Sequence, residues 1–131
     1  MPSGFSRKKR QAVWDKTQGH CWYCGMLVIL VWSEEHAPEA MQIDHQIPWS
    51  HGGTHHLRNL VPACRLCNRL KSFRTVEAYR SWLSRRSVPT FTEEHIAYLE
   101  KLQIALPAEF PCYPPITFWG EEHAQMREAE P

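Results

Sequence analysis

Residues 21–24 read Cys-Trp-Tyr-Cys and residues 64–68 read Cys-Arg-Leu-Cys-Asn, and between them lie Ile43-Asp44-His45, Gly52-Gly53-Thr54 and Asn59-Leu60-Val61. Thiolates at CxxC spacing can both reach one ion. Two such pairs, Cys21/Cys24 and Cys64/Cys67, fill the tetrahedral shell of Zn²⁺ and leave no position open for water, which is the donor set of a structural site. The gap between the pairs is wider than in a short zinc ribbon, so a loop and a strand must lie between the two halves of the clamp. The zinc would join the entrance of the motif to its exit. Four reduced core cysteines or two disulfides are the competing readings. Disulfides are disfavoured because Met1 to Arg10 carries cations with no apolar stretch of signal-peptide length behind them. The fifth cysteine, Cys112, sits among Pro111, Pro114 and Pro115 and reads as an unpaired thiol.

A chain of 131 residues suits one domain whose modest core a structural metal would help to hold. No apolar run approaches membrane-spanning length, and neither end carries a lipidation signal. A soluble intracellular, cytoplasmic protein with no membrane association is therefore expected, compatible with a bacterial or phage setting. The net charge of +1 says little, but its distribution says more. Residues 1–20 hold five Lys/Arg against Asp15, and residues 58–86 hold eight against Glu77. Residues 21–57 sum to −4 and residues 91–131 to −6. A basic central segment beside a chemical motif is the footprint of a protein that meets phosphates.

Along the chain, Ser6 reads as the N-cap of a basic helix from Arg7 to Gln18 that Gly19 stops, within an N-terminal segment 1–20. Four cations at its positive end are unfavourable unless an anion lies near. Met26 to Trp32, rich in large apolar residues, and Met41 to Ile47, which alternates, are predicted strands, and Asn59 to Ala63 a third extended segment. Helices are predicted from Arg65 to Phe73 and, after Thr75 as N-cap, through Tyr79 and Leu83. Together with residues 21–64 these make a core spanning 21–86. In the C-terminal segment 87–131, Phe91 and Ile96 are expected to form a hydrophobic staple about Thr92, opening an acidic helix to about Leu106. An irregular tail follows, with one extended piece at Ile116 to Trp119. Trp14, Trp22, Tyr23, Trp49 and Trp82 are read as core and zinc-flanking packing, and His51, His55 and His56 as solvated loop residues.

Taken together, Asp44-His45, Gly52-Gly53, Asn59-Leu60-Val61 and Cys67-Asn68-Arg69, framed by the CxxC pairs, resemble the HNH endonuclease family in its zinc-bearing form, over about residues 10–86. The resemblance implies an α+β fold: a ββα-metal core with a structural zinc site and flanking helices. It implies that Asp44 and Asn68 ligate a catalytic cation, that His45 is the general base and that Asn59 fastens the loop orienting His45. The final family residue is here Asn68 where many members have His, which weakens binding of softer metals. The residue chemistry agrees independently. A neutral imidazole suits proton transfer at physiological pH, and a carboxylate with an amide oxygen makes a hard, partly filled shell that favours Mg²⁺ or Mn²⁺. Because successive strand residues face opposite ways, a strand presenting both Asp44 and His45 to one site should bulge or end there.

Beside such a site Arg58, Arg65, Arg69, Lys71 and Arg74 read as contacts to the DNA backbone. The expected activity is metal-dependent phosphodiester hydrolysis in DNA. One rival is a non-catalytic, zinc-stabilised nucleic-acid-binding module. Another is a nuclease effector controlled by a regulatory protein partner, for which the acidic tail would be the contact. The zinc frame generates a first prediction. Cys→Ser at Cys21, Cys24, Cys64 or Cys67 should give insoluble or molten protein, because metal-binding energy in such a shell is folding energy. Cys112→Ser should be nearly silent. Solubility and near-ultraviolet circular dichroism of the five variants check this, and equal tolerance at all five positions would remove the zinc frame.

Overall fold

The structure, a computed structural model, describes residues 4–32, 37–86, 92–105 and 116–124. Its elements in chain order are α1 (Arg7–Asp15), β1 (Gln42–His45), β2 (Leu60–Ala63), α2 (Arg65–Lys71), α3 (Val76–Arg86), α4 (Glu93–Lys101) and α5 (Trp119–His123). Single 3₁₀ turns lie at Trp49–His51 and Leu57–Asn59. The chain divides into two compact units, one of residues 1–77 with 117–131 and the other of residues 78–116, the division falling inside α3. Among the described residues no helix is long and apolar enough to cross a membrane.

In the first unit, α1 starts where Ser6 accepts a hydrogen bond from the Lys9 amide. It ends at Asp15, three residues short of the expected end, and runs through a turn to Gly19. There Lys16 turns inward and donates to the carbonyls of Leu57 and, at 2.6 Å, of Leu60, tying the helix to the start of β2. Strands β1 and β2 pair antiparallel, with Gln42 opposite Ala63, Asp44 opposite Val61 and His45 opposite Leu60. Pro62 is tolerated because β2 has only one neighbour and every strand of a two-stranded sheet is an edge. Val13, Met41, Leu57, Leu60, Val61 and Ala63 form the buried centre between α1 and the hairpin.

Two expectations about this unit are corrected. Met26 to Trp32 is not a strand but makes only isolated bridges, Leu27 with His20 and Ile29 with Ala40. Only Val28 and Val31 of the run are buried, while Leu27 and Ile29 are exposed, so the run lacks the alternating buried face of a paired strand. Ile116 to Trp119 is not extended as a whole: Trp119 opens α5. The helix is held because Phe118 is buried edge-on against Tyr23, at 5.0 Å between centroids, while the Gly120 amide donates to the Trp22 carbonyl at 2.6 Å.

Helix α2 begins as expected but stops at Lys71, where Ser72 takes φ +51°. In the second unit, Tyr79 of α3 is buried and stacks with Trp82. Helix α4 opens on a capping box between Thr92 and His95 and ends at Lys101 rather than near Leu106. Phe91, the other half of the expected staple, lies outside the described residues, as does Cys112.

The loop from Ile47 to Thr54 turns on two adjacent glycines with different requirements. Gly52 has φ +83° and open space around it, whereas a Cβ on Gly53 would overlap the Ile47 carbonyl and lie 2.9 Å from that of Pro48. Gly52→Ala should therefore cost only the left-handed penalty of about 1 kcal/mol. Gly53→Ala should cost about 3 kcal/mol, since backbone rather than a rotatable side chain has to move. Denaturant unfolding of the two variants measures the difference, and equal losses would show that steric exclusion at Gly53 is not what shapes the loop.

Candidate active site and metal centre

The four sulfurs of Cys21, Cys24, Cys64 and Cys67 lie within 4.8 Å of one another. The Cys24 and Cys64 sulfurs are 3.9 Å apart, far beyond the ~2.05 Å of a disulfide and close to the ~3.8 Å edge of a tetrahedron drawn with Zn–S bonds of ~2.3 Å. All four are free thiols, so the donor set fits zinc in geometry and in chemistry. Backbone turns shape each half. Gly25 donates to the Cys21 carbonyl and Cys21 to that of Met26. On the other side Cys64 is the N-cap of α2, its sulfur accepting from the Cys67 amide. Four thiols this close cannot all ionise without a cation among them. The hydrogen bond from Cys67 lowers Cys21 to about 5, the same bond pushes Cys67 far up, and burial pushes Cys24 to about 11.

From this cluster two arms reach the catalytic candidates. Tyr23, held between Cys21 and Cys24, donates its hydroxyl to the Asp44 carboxylate. Helix α2, started by Cys64, carries Asn68 and, one turn on along the same face, Lys71. The Lys71 ammonium lies 3.1 Å and 3.3 Å from the two Asp44 oxygens and donates to the His45 carbonyl at 2.7 Å. Burial pushes the Asp44 carboxyl above its ordinary value, against the opposing pull of the Lys71 charge and the Tyr23 and Lys71 hydrogen bonds.

Asp44, His45 and Asn68 line one cleft of about 440 Å³, together with Ile43, Pro48, Trp49, Ser50, Ser72 and Phe73. Strand β1 ends at His45, so adjacent residues reach the same cleft where the pleat stops. Among the described residues the Asn68 side-chain amide makes no hydrogen bond, and it lines the same cleft as Asp44. A carboxylate offers about four lone-pair sites, of which Tyr23 and the two Lys71 contacts use three. An oxygen from each of Asp44 and Asn68 fits a hard divalent cation.

His45 is half-buried, and burial first, then the neighbouring His55 and Lys71, lower its pKa and favour the neutral ring. Its Nε2 lies 2.8 Å from Nδ1 of His55. Asn59 is buried with its amide wholly engaged by the loop: it accepts from the Ile47 amide at 2.9 Å and donates to the carbonyls of Ile47 and Thr54 at 3.0 and 2.8 Å. Arg58, Arg65 and Arg69 are exposed and Arg74 is partly so. Lys71 is not on that face. It is 0% exposed and serves as counter-ion to Asp44. Trp49, expected in the core, is 61% exposed at the cleft edge.

Sequence reasoning misassigned Lys71, read as a contact to the DNA backbone, and missed Tyr23 as a donor to Asp44 and His55 as a partner of His45. The i, i+3 spacing of Asn68 and Lys71 was the available signal for the first. Removing the ammonium should strand a buried carboxylate. Lys71→Met is expected to lose about 3–5 kcal/mol of stability, whereas Arg69→Ala should stay within about 0.5 kcal/mol of wild type. Adding Asp44→Asn to Lys71→Met should restore part of the loss, as denaturant unfolding of the three variants will measure. An Arg69-sized effect at Lys71 would show that the pair carries little.

Residues 21–74 match the family model described as HNH endonuclease. Among curated proteins nothing matches the sequence. Among solved structures, the type II-C Cas9 enzyme from Actinomyces naeslundii aligns at 21% identity and a TM-score of 0.49, covering 88% of this chain and 14% of that one. This chain thus spans about a seventh of that enzyme's length. The family-model match covers the segment from Cys21 to Arg74, which holds the four cysteines, both strands and α2.

Proposed function

We propose that this chain is a metal-dependent DNA endonuclease in which Asp44 and Asn68 hold a Mg²⁺ or Mn²⁺ ion and His45 is the general base, with a zinc ion on the four cysteines as structural support. The observation that carries the proposal is the convergence of a carboxylate, an uncommitted amide and a neutral imidazole on one cleft. The cation, when bound, supplies charge to stabilise the phosphate and the leaving oxygen.

The chain's own residues do the rest. His45 takes a proton from the attacking water as the water oxygen bonds to phosphorus and the phosphorus–sugar oxygen bond breaks. The departing oxygen is protonated from solvent. Burial and the neighbouring positive charge of Lys71 keep the imidazole neutral, and so able to accept. Asn59 is a positioning residue, fixing both ends of the Ile47–Thr54 loop against the start of β2. Arg58, Arg65, Arg69 and Arg74 contact backbone phosphates, orienting the duplex without reading its sequence.

Relaxation of supercoiled plasmid tests the reading. Wild type should cleave with Mg²⁺ or Mn²⁺ and stop in EDTA at a concentration that leaves the zinc in place. His45→Ala should bind DNA as wild type does while cleavage falls about 10²- to 10⁴-fold, the usual worth of a general base. Asn68→Ala should lose cleavage but recover part of it at raised Mn²⁺, because its defect is metal affinity. Cleavage indifferent to His45→Ala would overturn the mechanism. DNA binding without cleavage in any divalent metal would make the chain a binding module.

A further inference from the structure

His45 and His55 are ten residues apart, on β1 and on the loop that returns to β2, yet their rings meet through Nε2 of His45 and Nδ1 of His55 at 2.8 Å. The second ring is built into place. Trp49 stacks on His55 at 4.5 Å with the planes 9° apart, Phe5 meets it edge-on at 5.5 Å, and the Lys9 ammonium holds the His55 carbonyl at 2.6 Å. Phe5 also lies 6.1 Å from the His45 ring. A solvated loop histidine would not be gripped on a ring face, a ring edge and its backbone at once.

We infer that His55 is a positioning residue that accepts a hydrogen bond from His45 Nε2–H and so presents Nδ1 of His45 as the nitrogen that takes the proton. The inference rests on the nuclease reading above. Of two facing ring nitrogens only one can carry the shared proton. If His45 is to act as a base, the nitrogen not engaged by His55 must be the unprotonated one, which places the shared proton on Nε2 and leaves His55 Nδ1 as acceptor. The arrangement persists through the reaction. When Nδ1 gains the water proton, Nε2–H still points at the His55 lone pair, and the bond strengthens because its donor is now charged. A partner that orients a base in this way is the third member of the nucleophile–base–orienter arrangement, filled here by an imidazole on a loop.

Three substitutions separate the hydrogen bond from the packing. His55→Phe keeps a ring for Trp49 and Phe5 but has no acceptor, His55→Asn puts an amide oxygen near the Nδ1 position without the ring, and His55→Ala removes both. With DNA affinity and thermal melting measured as controls, kcat should fall about 10- to 100-fold in His55→Ala and His55→Phe, the range seen when the group orienting a functional imidazole is removed. KM should change little, and His55→Asn should recover much of the rate. In proton NMR an exchange-protected imidazole N–H correlated to His45 Nε2 should be present in wild type and absent in His55→Phe. Should His55→Phe cleave as fast as wild type and keep that N–H, the inference falls while the nuclease reading stands. A wild type that cleaves with no divalent metal overturns both.

Discussion

The four sulfurs within 4.8 Å of one another are the constraint on which the rest of the site depends. They tie a turn at residues 21–24 to the first turn of α2, and each side of the tie delivers a group to Asp44. Tyr23 comes from inside the first CxxC pair. Lys71 comes from the far end of the helix that the second pair begins, and Asn68 stands one turn before it. A structural cation there would therefore do more than close a loop. It would hold the hydroxyl and ammonium that set the geometry of a carboxylate some distance away, in the way outer-shell groups orient a metal's ligands. The approach of α5, whose Trp119 amide bonds to the Tyr23 carbonyl, braces the same turn from outside.

Asp44 is where the energetics are least forgiving. A carboxylate at 5% exposure is costly unless paired, and a buried pair rarely stabilises more than a well-packed apolar substitute. What the pairing supplies is placement. Lys71 spans Asp44 and the His45 carbonyl, so one ammonium fixes the last two residues of β1 at the point where the strand stops. The need for two adjacent residues to face one cleft is met by ending the strand, with no bulge among the paired residues, and Pro48 follows at once to keep the chain from extending further.

How much of this could be read in the sequence divides along the range of the interactions involved. The Ser6 cap, β1, β2 and the start of α2 follow from local chemistry and from period and were legible, whereas the helix expected to run to a stop at Gly19 ends at Asp15. The cysteine cluster was legible because CxxC spacing is itself a statement about geometry. Met26–Trp32 misled because β-propensity describes what fits a half-buried sheet, and this segment makes only isolated bridges. Lys71 misled because a lysine in a basic run looks solvated until its tertiary partner is known. His55 and Trp49 were illegible for the same reason: the loop that stacks them is shaped by Gly53 and Asn59, two residues whose contacts are with backbone atoms.

The same distinction changes what the chain's charge pattern means. Residues 1–20 carry five cations, a density that suggests a phosphate-binding arm. The fold commits most of them elsewhere. Lys9 holds the His55 carbonyl, Lys16 holds those of Leu57 and Leu60, Arg10 is buried, and Arg7 lies 5.4 Å over the Trp32 ring. The Lys9 bond, from the first turns of α1, clamps the loop that carries His55, and the Lys16 bonds, just past the helix end, hold the start of β2. Elsewhere in this unit Arg58, Arg65 and Arg69 are exposed and Arg74 partly so, with Arg65 and Arg69 on α2. A formal count assigns the basic surface to two segments. In the structure the first of them also holds the loop that carries His55, through the Lys9 ammonium.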